Sequence, residues 1–110
     1  MAKLVDSRCK AFQTAIDVLG RPWSAIILNA LQAGPLRFGE IRAIVQGVGD
    51  KVLSGRLKAL EAQGLILRHV EPGPPVRVSY QVTESGLGFG EVAQAIERWG
   101  KKLASAPRRR

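Results

Sequence analysis

The chain has 110 residues, 45% of them hydrophobic, which suits one packed domain and leaves too little for a second. Its 17 Lys and Arg against 9 Asp and Glu give a net charge of +8, which favours a polyanionic partner, although excess cations also simply keep a protein dissolved. The single cysteine, Cys9, excludes an internal disulfide framework and fits a reducing cytoplasm, and no apolar run approaches the roughly 20 residues of a spanning helix.

Neither terminus reads as a secretory signal, and no membrane partner is expected. A domain this small buries only part of its apolar surface alone, so long amphipathic helices at its ends become candidates for burial against a second copy. One histidine, His69, and one cysteine lie far apart without metal-ligand spacing, so no metal or cofactor is expected. A glycine-rich phosphate loop after a strand, a G-x-S-x-G elbow and an H-E-x-x-H helix are all missing. With no catalytic residues to assemble, the chain does not read as an enzyme.

From Cys9 to Leu19 the apolar residues Phe12, Ala15, Ile16 and Leu19 recur at helical spacing, and Gly20 ends this first helix. A second helix is expected to open at Arg21-Pro22-Trp23, because the N–H that Pro22 lacks is not needed in a first turn. Trp23, Ile26, Ile27, Ala30 and Leu31 put apolar side chains on more than one face, which places this helix at the centre of the core until Gly34-Pro35 ends it. A short helix follows from Arg37 to about Val45, with Phe38, Ile41 and Val45 inward and Arg37, Glu40 and Arg42 outward.

After a turn holding Gly47 and Gly49, the stretch DKVLSGRLKALEAQG sets Leu53, Leu57 and Leu60 at i, i+4 and i+7, the stripe of a helix packed on a core. Asp50 is the expected N-cap and Gly64 the expected stop. Two helices joined by a short glycine-containing turn make a helix-turn-helix candidate. LILRHV and VRVSYQV flank Glu71-Pro72-Gly73-Pro74-Pro75 and read as a β-hairpin with a stiff loop. Thr83 is expected to cap a final helix presenting Phe89, Val92, Ile96, Trp99 and Leu103. Gly86, Gly88 and Gly90 weaken its first turns by roughly 0.5–1 kcal/mol each relative to alanine. The expected fold class is mainly α with a small β-hairpin wing (α+β), a winged helix-turn-helix.

From Cys9 to about Trp99 the chain resembles the HxlR family of winged-helix regulators. The resemblance is carried by the Cys9 start, DVLGRPWSAIIL, GPLRFGEI, KVLSGRLKALEAQGLI and VRVSYQVTESG, five segments in order and at family spacing. It implies a bacterial, cytoplasmic homodimer whose first and last helices pair with those of a partner, leaving two wings and two recognition helices for an operator. The chain departs from the family at Gly49-Asp50, where a Ser or Thr and a Pro or similar residue commonly open the recognition helix. It departs again in the wing, where Val76 and Ser79 stand at positions commonly held by prolines and a glutamate. The operator sequence is therefore not transferable.

With Leu53, Leu57 and Leu60 inward, the 100° step of a helix turns Lys51, Ser54, Gly55 and Lys58 outward, onto the surface a recognition helix lays in the major groove. Lys51 and Ser54 lead as contacts, since Lys reads guanine edges and Ser reads base edges or phosphate, while Gly55 lets the backbone approach closely. An ordinary solvated face would look the same in isolation, and it is the adjoining hairpin that favours DNA. Asp50 opposes phosphate and is assigned to capping. Arg56 either pairs with a carboxylate such as Glu61 or reaches a phosphate from the side. Arg77, beside the Pro-rich tip, is placed to enter the minor groove or grip its phosphates. Arg68 is a further DNA contact, and His69 fits better as a solvent-exposed strand residue. Arg37 and Arg42 are expected to hold the DNA backbone without reading sequence. Trp23 and Trp99 read as packing rather than ligand platforms, and Phe12, Ile16, Val92, Ile96 and Trp99 form the expected dimer seam.

Cys9, near a helix N-terminus and between Arg8 and Lys10, is the one residue with candidate redox chemistry. In several members of the resembled family the N-terminal cysteine senses electrophiles or oxidants, which implies a redox-sensing role; a small, partly buried and unreactive thiol remains the alternative. Residues 1–106 are thus expected to form one DNA-binding and dimerisation domain, with a basic, disordered tail over 107–110. The expected function is a sequence-specific double-stranded DNA-binding transcriptional regulator, acting as a homodimer on a pseudo-palindromic operator. The alternative is a winged-helix protein-interaction module whose basic face meets an acidic partner.

Overall fold

Helical spacing of apolar residues builds the first half of the computed structural model, which describes residues 7–107. The first helix, α1, spans Ser7–Leu19, and Val18 and Leu19 are half-buried near its C-terminal end. Helix α2 spans Ser24–Ala30 and tightens into a 3-10 turn at Leu31–Ala33. Its expected start at Arg21-Pro22 is corrected: Trp23 sits at the N-cap with a left-handed φ of 72°, so Pro22 lies in the preceding bend. A non-glycine residue in that region costs about 1–3 kcal/mol. The indole is offset by packing against the core and over the turn at Gly47, where a Cβ would lie 3.6 Å from Trp23 Cη2. Ile27, Leu28 and Leu31 are fully buried, but Ile26 is 53% exposed. The helix therefore stands in the core as expected, with Ile26 on an exposed face.

A two-residue strand that periodicity cannot reveal, β1 at Leu36–Arg37, precedes the third helix, α3, at Phe38–Ile44. The backbone N–H of Arg37 donates to Glu40 Oε1 at 2.8 Å, so Glu40 secures the helix start that outward placement alone did not suggest. Helix α4 spans Asp50–Ala62 and buries Leu53, Leu57 and Leu60, as their spacing requires. Gly49, extended at φ −81° and ψ 159°, occupies the N-cap and Asp50 is the first helical residue, which corrects the expected capping role of Asp50. Its carboxylate turns instead to Arg42. Gly64 follows the helix with φ 78°, a conformation that favours glycine and stops α4 where expected.

Strands β2 (Ile66–Glu71) and β3 (Arg77–Val82) form the hairpin, and β1 pairs antiparallel with β3 to give a three-stranded sheet of order β1-β3-β2. Ile66 stands opposite Val82, Arg68 opposite Tyr80 and Glu71 opposite Arg77. Ile66 is buried and Val82 packs against the core, so the two-residue alternation carries Arg68 and Tyr80 onto that same inward face. Glu71 and Arg77 fall on the other.

The expected final helix is two pieces, α5 at Glu84–Leu87 and α6 at Phe89–Ser105. Thr83 caps α5 as expected: its Oγ1 accepts from the Gly86 N–H at 3.1 Å and donates to the Gly64 carbonyl at 2.7 Å, tying the end of α4 to the start of α5. Gly86 is more than a weak helix former, because a Cβ there would lie 2.1 Å from the Leu65 carbonyl oxygen. The Gln32 side-chain amide donates to the Gly86 carbonyl at 2.9 Å. These elements enclose one core of Ile27, Leu28, Leu31, Ile41, Val45, Val48, Leu53, Leu57, Leu60 and Ile66. Each such side chain contributes roughly 1.5–3 kcal/mol on leaving water. From residue 108 onward, the expected basic tail lies outside the described residues.

Candidate nucleic-acid interface

Burial of the three leucines sets the rotation of α4, and with it the outward stripe of Lys51, Gly55 and Lys58, all exposed. No atom lies within 4 Å of a Cβ built on Gly55, so nothing inside the protein requires a glycine there. Ser54 is half-buried on the flank that faces the hairpin, while Val52 and Arg56 occupy the opposite flank. Among the described residues Arg56 forms no ion pair with Glu61.

The hairpin closes a cleft of about 390 Å³ against α4, lined by Ser54, Lys58 and Glu61 from the helix and by Arg68 and Tyr80 from the strands. Three residues singled out from the sequence, Ser54, Lys58 and Arg68, are brought together here. Tyr80 was missed, although the alternation of Val78, Tyr80 and Val82 was the signal that places it inward beside Arg68. Arg77 does not join them, because it lies at the far end of the ladder from the Ile66–Val82 pair and on the other face of the hairpin. His69, also on that face, is exposed as expected.

On the supporting side, Arg37 is exposed in β1 at the entrance to α3. Arg42 donates from Nη1 to Asp50 Oδ1 at 2.8 Å, an ion pair spanning the turn between α3 and α4. Among the described residues no group of His, Cys, Asp and Glu could hold a metal ion, and no helix is long and apolar enough to cross a membrane.

The terminal helices present a second surface. Phe89, Val92, Ile96, Trp99 and Leu103 alternate spacings of three and four along α6, the seam of a helix that packs on another helix. Phe89 is half-buried, yet Val92, Ile96, Trp99 and Leu103 are exposed, and α6 has no buried residue along its 17. On one side α6 borders a 200 Å³ apolar groove shared with Ala15, Val18 and Leu19 of α1; on the other, a groove shared with Ile26 of α2. Phe12 and Ile16 of α1 are likewise exposed, at 68% and 42%. Cys9, the third residue of α1, is exposed one turn before Phe12.

A helix-turn-helix whose second helix is followed by an antiparallel hairpin defines a winged helix-turn-helix protein. The family model of the HxlR-like helix-turn-helix matches residues 18–107, and the chain belongs to that family of transcriptional regulators, which are not enzymes. It is 38% identical to the HTH-type transcriptional regulator YvaP of Bacillus subtilis over 83% of this chain and 84% of YvaP. It is 35% identical to the HTH-type transcriptional regulator YodB of the same organism over 89% of this chain and 88% of YodB. Among solved structures, the reduced form of YodB superposes with a TM-score of 0.78 at 30% identity, covering 96% of this chain and all of the other. The redox regulator HypR in its oxidized form superposes with a TM-score of 0.77 at 29% identity, covering 84% of this chain and 95% of HypR.

Proposed function

We propose that the protein is a cytoplasmic regulator that binds a pseudo-palindromic double-stranded DNA operator as a homodimer. The observation that carries this reading is the stripe of Lys51, Gly55 and Lys58, left exposed by burial of Leu53, Leu57 and Leu60 and flanked by a hairpin that brings Arg68 beside it. Cations on a helix that can enter a major groove, next to a basic wing, fit a duplex polyanion. Lys51 and Gly55 lie against base edges, while Arg37 and, at the wing tip, Arg77 serve the backbone.

The dimer half of the reading rests on α6, whose seam beyond Phe89, at Val92, Ile96, Trp99 and Leu103, stays exposed among the described residues. Large apolar side chains gain by leaving water, so a partner's α1 and α6 are the natural cover for Phe12, Ile16, Val92, Ile96 and Trp99. Two copies related by a twofold axis would set their recognition helices in successive major grooves about 34–36 Å apart.

Cys9 makes this dimer responsive to oxidants or electrophiles. It lies on the same helix as Phe12 and Ile16, so a modification there acts on the seam and through it on the spacing of the wings. The redox forms in which YodB and HypR have been solved support that reading.

Gel-shift of the purified protein against fragments of its own genome, with molar mass measured by light scattering, tests the whole. The expected result is a dimer that retains a small set of fragments over a general competitor. A strict monomer, or a dimer indifferent to every duplex at low ionic strength, overturns it, and capture of an acidic protein instead of DNA would favour the interaction-module alternative.

A further inference from the structure

We propose that the cleft between α4 and the wing is a phosphate site, filled by one backbone phosphodiester of the bound DNA; the choice of DNA as its source rests on the function proposed above. Lys58 and Arg68 bring positive charge to the cleft from a helix and from a strand, and neither forms an ion pair among the described residues, unlike Arg42. Ser54 and Tyr80 supply a hydroxyl each, and neither hydroxyl makes a hydrogen bond within the described protein. Four donor-bearing side chains, unspent on one another, converge on a space of about 390 Å³. An anion with several acceptor oxygens uses all four at once, and phosphate is the group of that kind that DNA offers.

The position of the cleft agrees with its chemistry. If α4 lies in a major groove and the hairpin reaches the neighbouring groove, the sugar-phosphate strand dividing the grooves runs between them, which is where the cleft opens. Glu61 shares the wall, so two cations and one carboxylate leave a single positive charge facing the space. That matches the single negative charge of a phosphodiester better than the nearly double charge of a free phosphate monoester. Ser54 and Lys58 are thereby backbone ligands rather than readers of base edges, and Tyr80 is a DNA contact that depends on the register opposite Arg68.

The test compares wild-type protein with Lys58→Gln, Arg68→Gln, Tyr80→Phe and Glu61→Gln on a duplex the wild type retains, titrated at several salt concentrations. Circular dichroism melting establishes that each variant folds. Removing either cation is expected to weaken binding about tenfold on every duplex alike and to make the slope of log K against log salt shallower by about 0.9 for each phosphate no longer neutralised. Tyr80→Phe keeps the ring, so it weakens binding several-fold with the slope unchanged. Glu61→Gln tightens binding, a gain that a merely structural carboxylate would not produce.

Variants matching wild type in affinity and slope, while Lys51→Ala still weakens binding, would leave DNA binding standing and overturn the cleft. A change in duplex preference at constant slope would equally overturn it, in favour of base reading. In a second arm, inorganic phosphate is titrated against the amide resonances of Arg68 and Tyr80. Should wild type retain no duplex, shifts there would keep the phosphate site with a free ligand as its source, and their absence would end both proposals.

Discussion

The Arg42 guanidinium donates to the Asp50 carboxylate at 2.8 Å and thereby joins the last turn of α3 to the first turn of α4 across the turn between them. Both side chains are half or more exposed, at 50% and 65%, so the pair contributes only about 0–1 kcal/mol to stability. Its greater effect is on charge, since it holds a carboxylate next to Lys51 at the first turn of α4 and occupies an arginine that the proposed DNA backbone would otherwise engage. Asp50→Asn removes that carboxylate and frees Arg42. Stability is expected to fall by no more than about 1 kcal/mol, part of it from the weakened interaction with the helix dipole, while duplex affinity rises several-fold. Urea melts and duplex titration check the two halves separately, and weaker DNA binding would show that the pair positions α4 rather than restraining Arg42.

Two glycines separate folding from function. A Cβ on Gly86 would lie 2.1 Å from the Leu65 carbonyl oxygen and 3.1 Å from Val82 Cβ, contacts that backbone must move to relieve. Gly86→Ala is expected to destabilise the protein by about 2–4 kcal/mol, in the range of overpacked sites with backbone shifts. Gly55 meets nothing within 4 Å and sits inside α4, so Gly55→Ala should stabilise by about 0.5–1 kcal/mol. If Gly55 lets the backbone approach bases, that same alanine weakens duplex binding at least tenfold. Thermal melts and titration of both variants test this, and unchanged binding by Gly55→Ala would place the DNA elsewhere.

How much of the fold and the interface is legible in the chain depends on whether the signal is periodic. The i, i+4, i+7 spacing of Leu53, Leu57 and Leu60 determines the rotation of α4, and the exposed stripe of Lys51, Gly55 and Lys58 follows from it. Likewise Thr83 and Gly64 act through their own backbone and hydroxyl groups, so they are visible as a cap and a stop. What escapes depends on partners distant in sequence. Strand β1 is defined by its pairing with β3, Trp23 takes its left-handed turn against Gly47, and the N-cap falls on Gly49 while the Asp50 carboxylate pairs with Arg42. Tyr80 escapes for a related reason. Its alternation is readable, but the helix wall opposite it is not.

Lys51 stands at the second position of α4 with its ammonium exposed and no ion pair among the described residues. Lys51→Ala leaves the core untouched, so its melting temperature should stay within about 2 °C of wild type, consistent with a surface change below about 0.5 kcal/mol. Duplex affinity should fall, with a loss that differs between duplexes if the ammonium reads a guanine edge, by about 1–3 kcal/mol on the preferred one. A uniform decrease across all sequences would instead assign Lys51 to a phosphate.

Trp99 is 63% exposed on a helix that buries none of its side chains within one chain. Trp99→Glu puts a charge in the middle of the alternating seam, where it would be desolvated on dimerisation. Sedimentation is expected to show dissociation to monomer at micromolar concentration, with duplex affinity falling because one half-site alone is bound. A variant that stays dimeric would move the interface off α6.

Because Cys9 is the sole cysteine, any disulfide it forms joins either two subunits or the protein and a small thiol. Joining two subunits releases two protons and two electrons to the oxidant, so diamide or peroxide must be supplied. Diamide is expected to convert wild type into a species of twice the mass on non-reducing gels and to abolish duplex retention, with dithiothreitol restoring both. Cys9→Ser should bind DNA like reduced wild type and ignore the oxidant. Abolished retention without the heavier band would point to a mixed adduct at the same thiol, whereas oxidised wild type that binds normally would remove Cys9 from regulation, since the seam beside Phe12 would then tolerate modification without altering the wings.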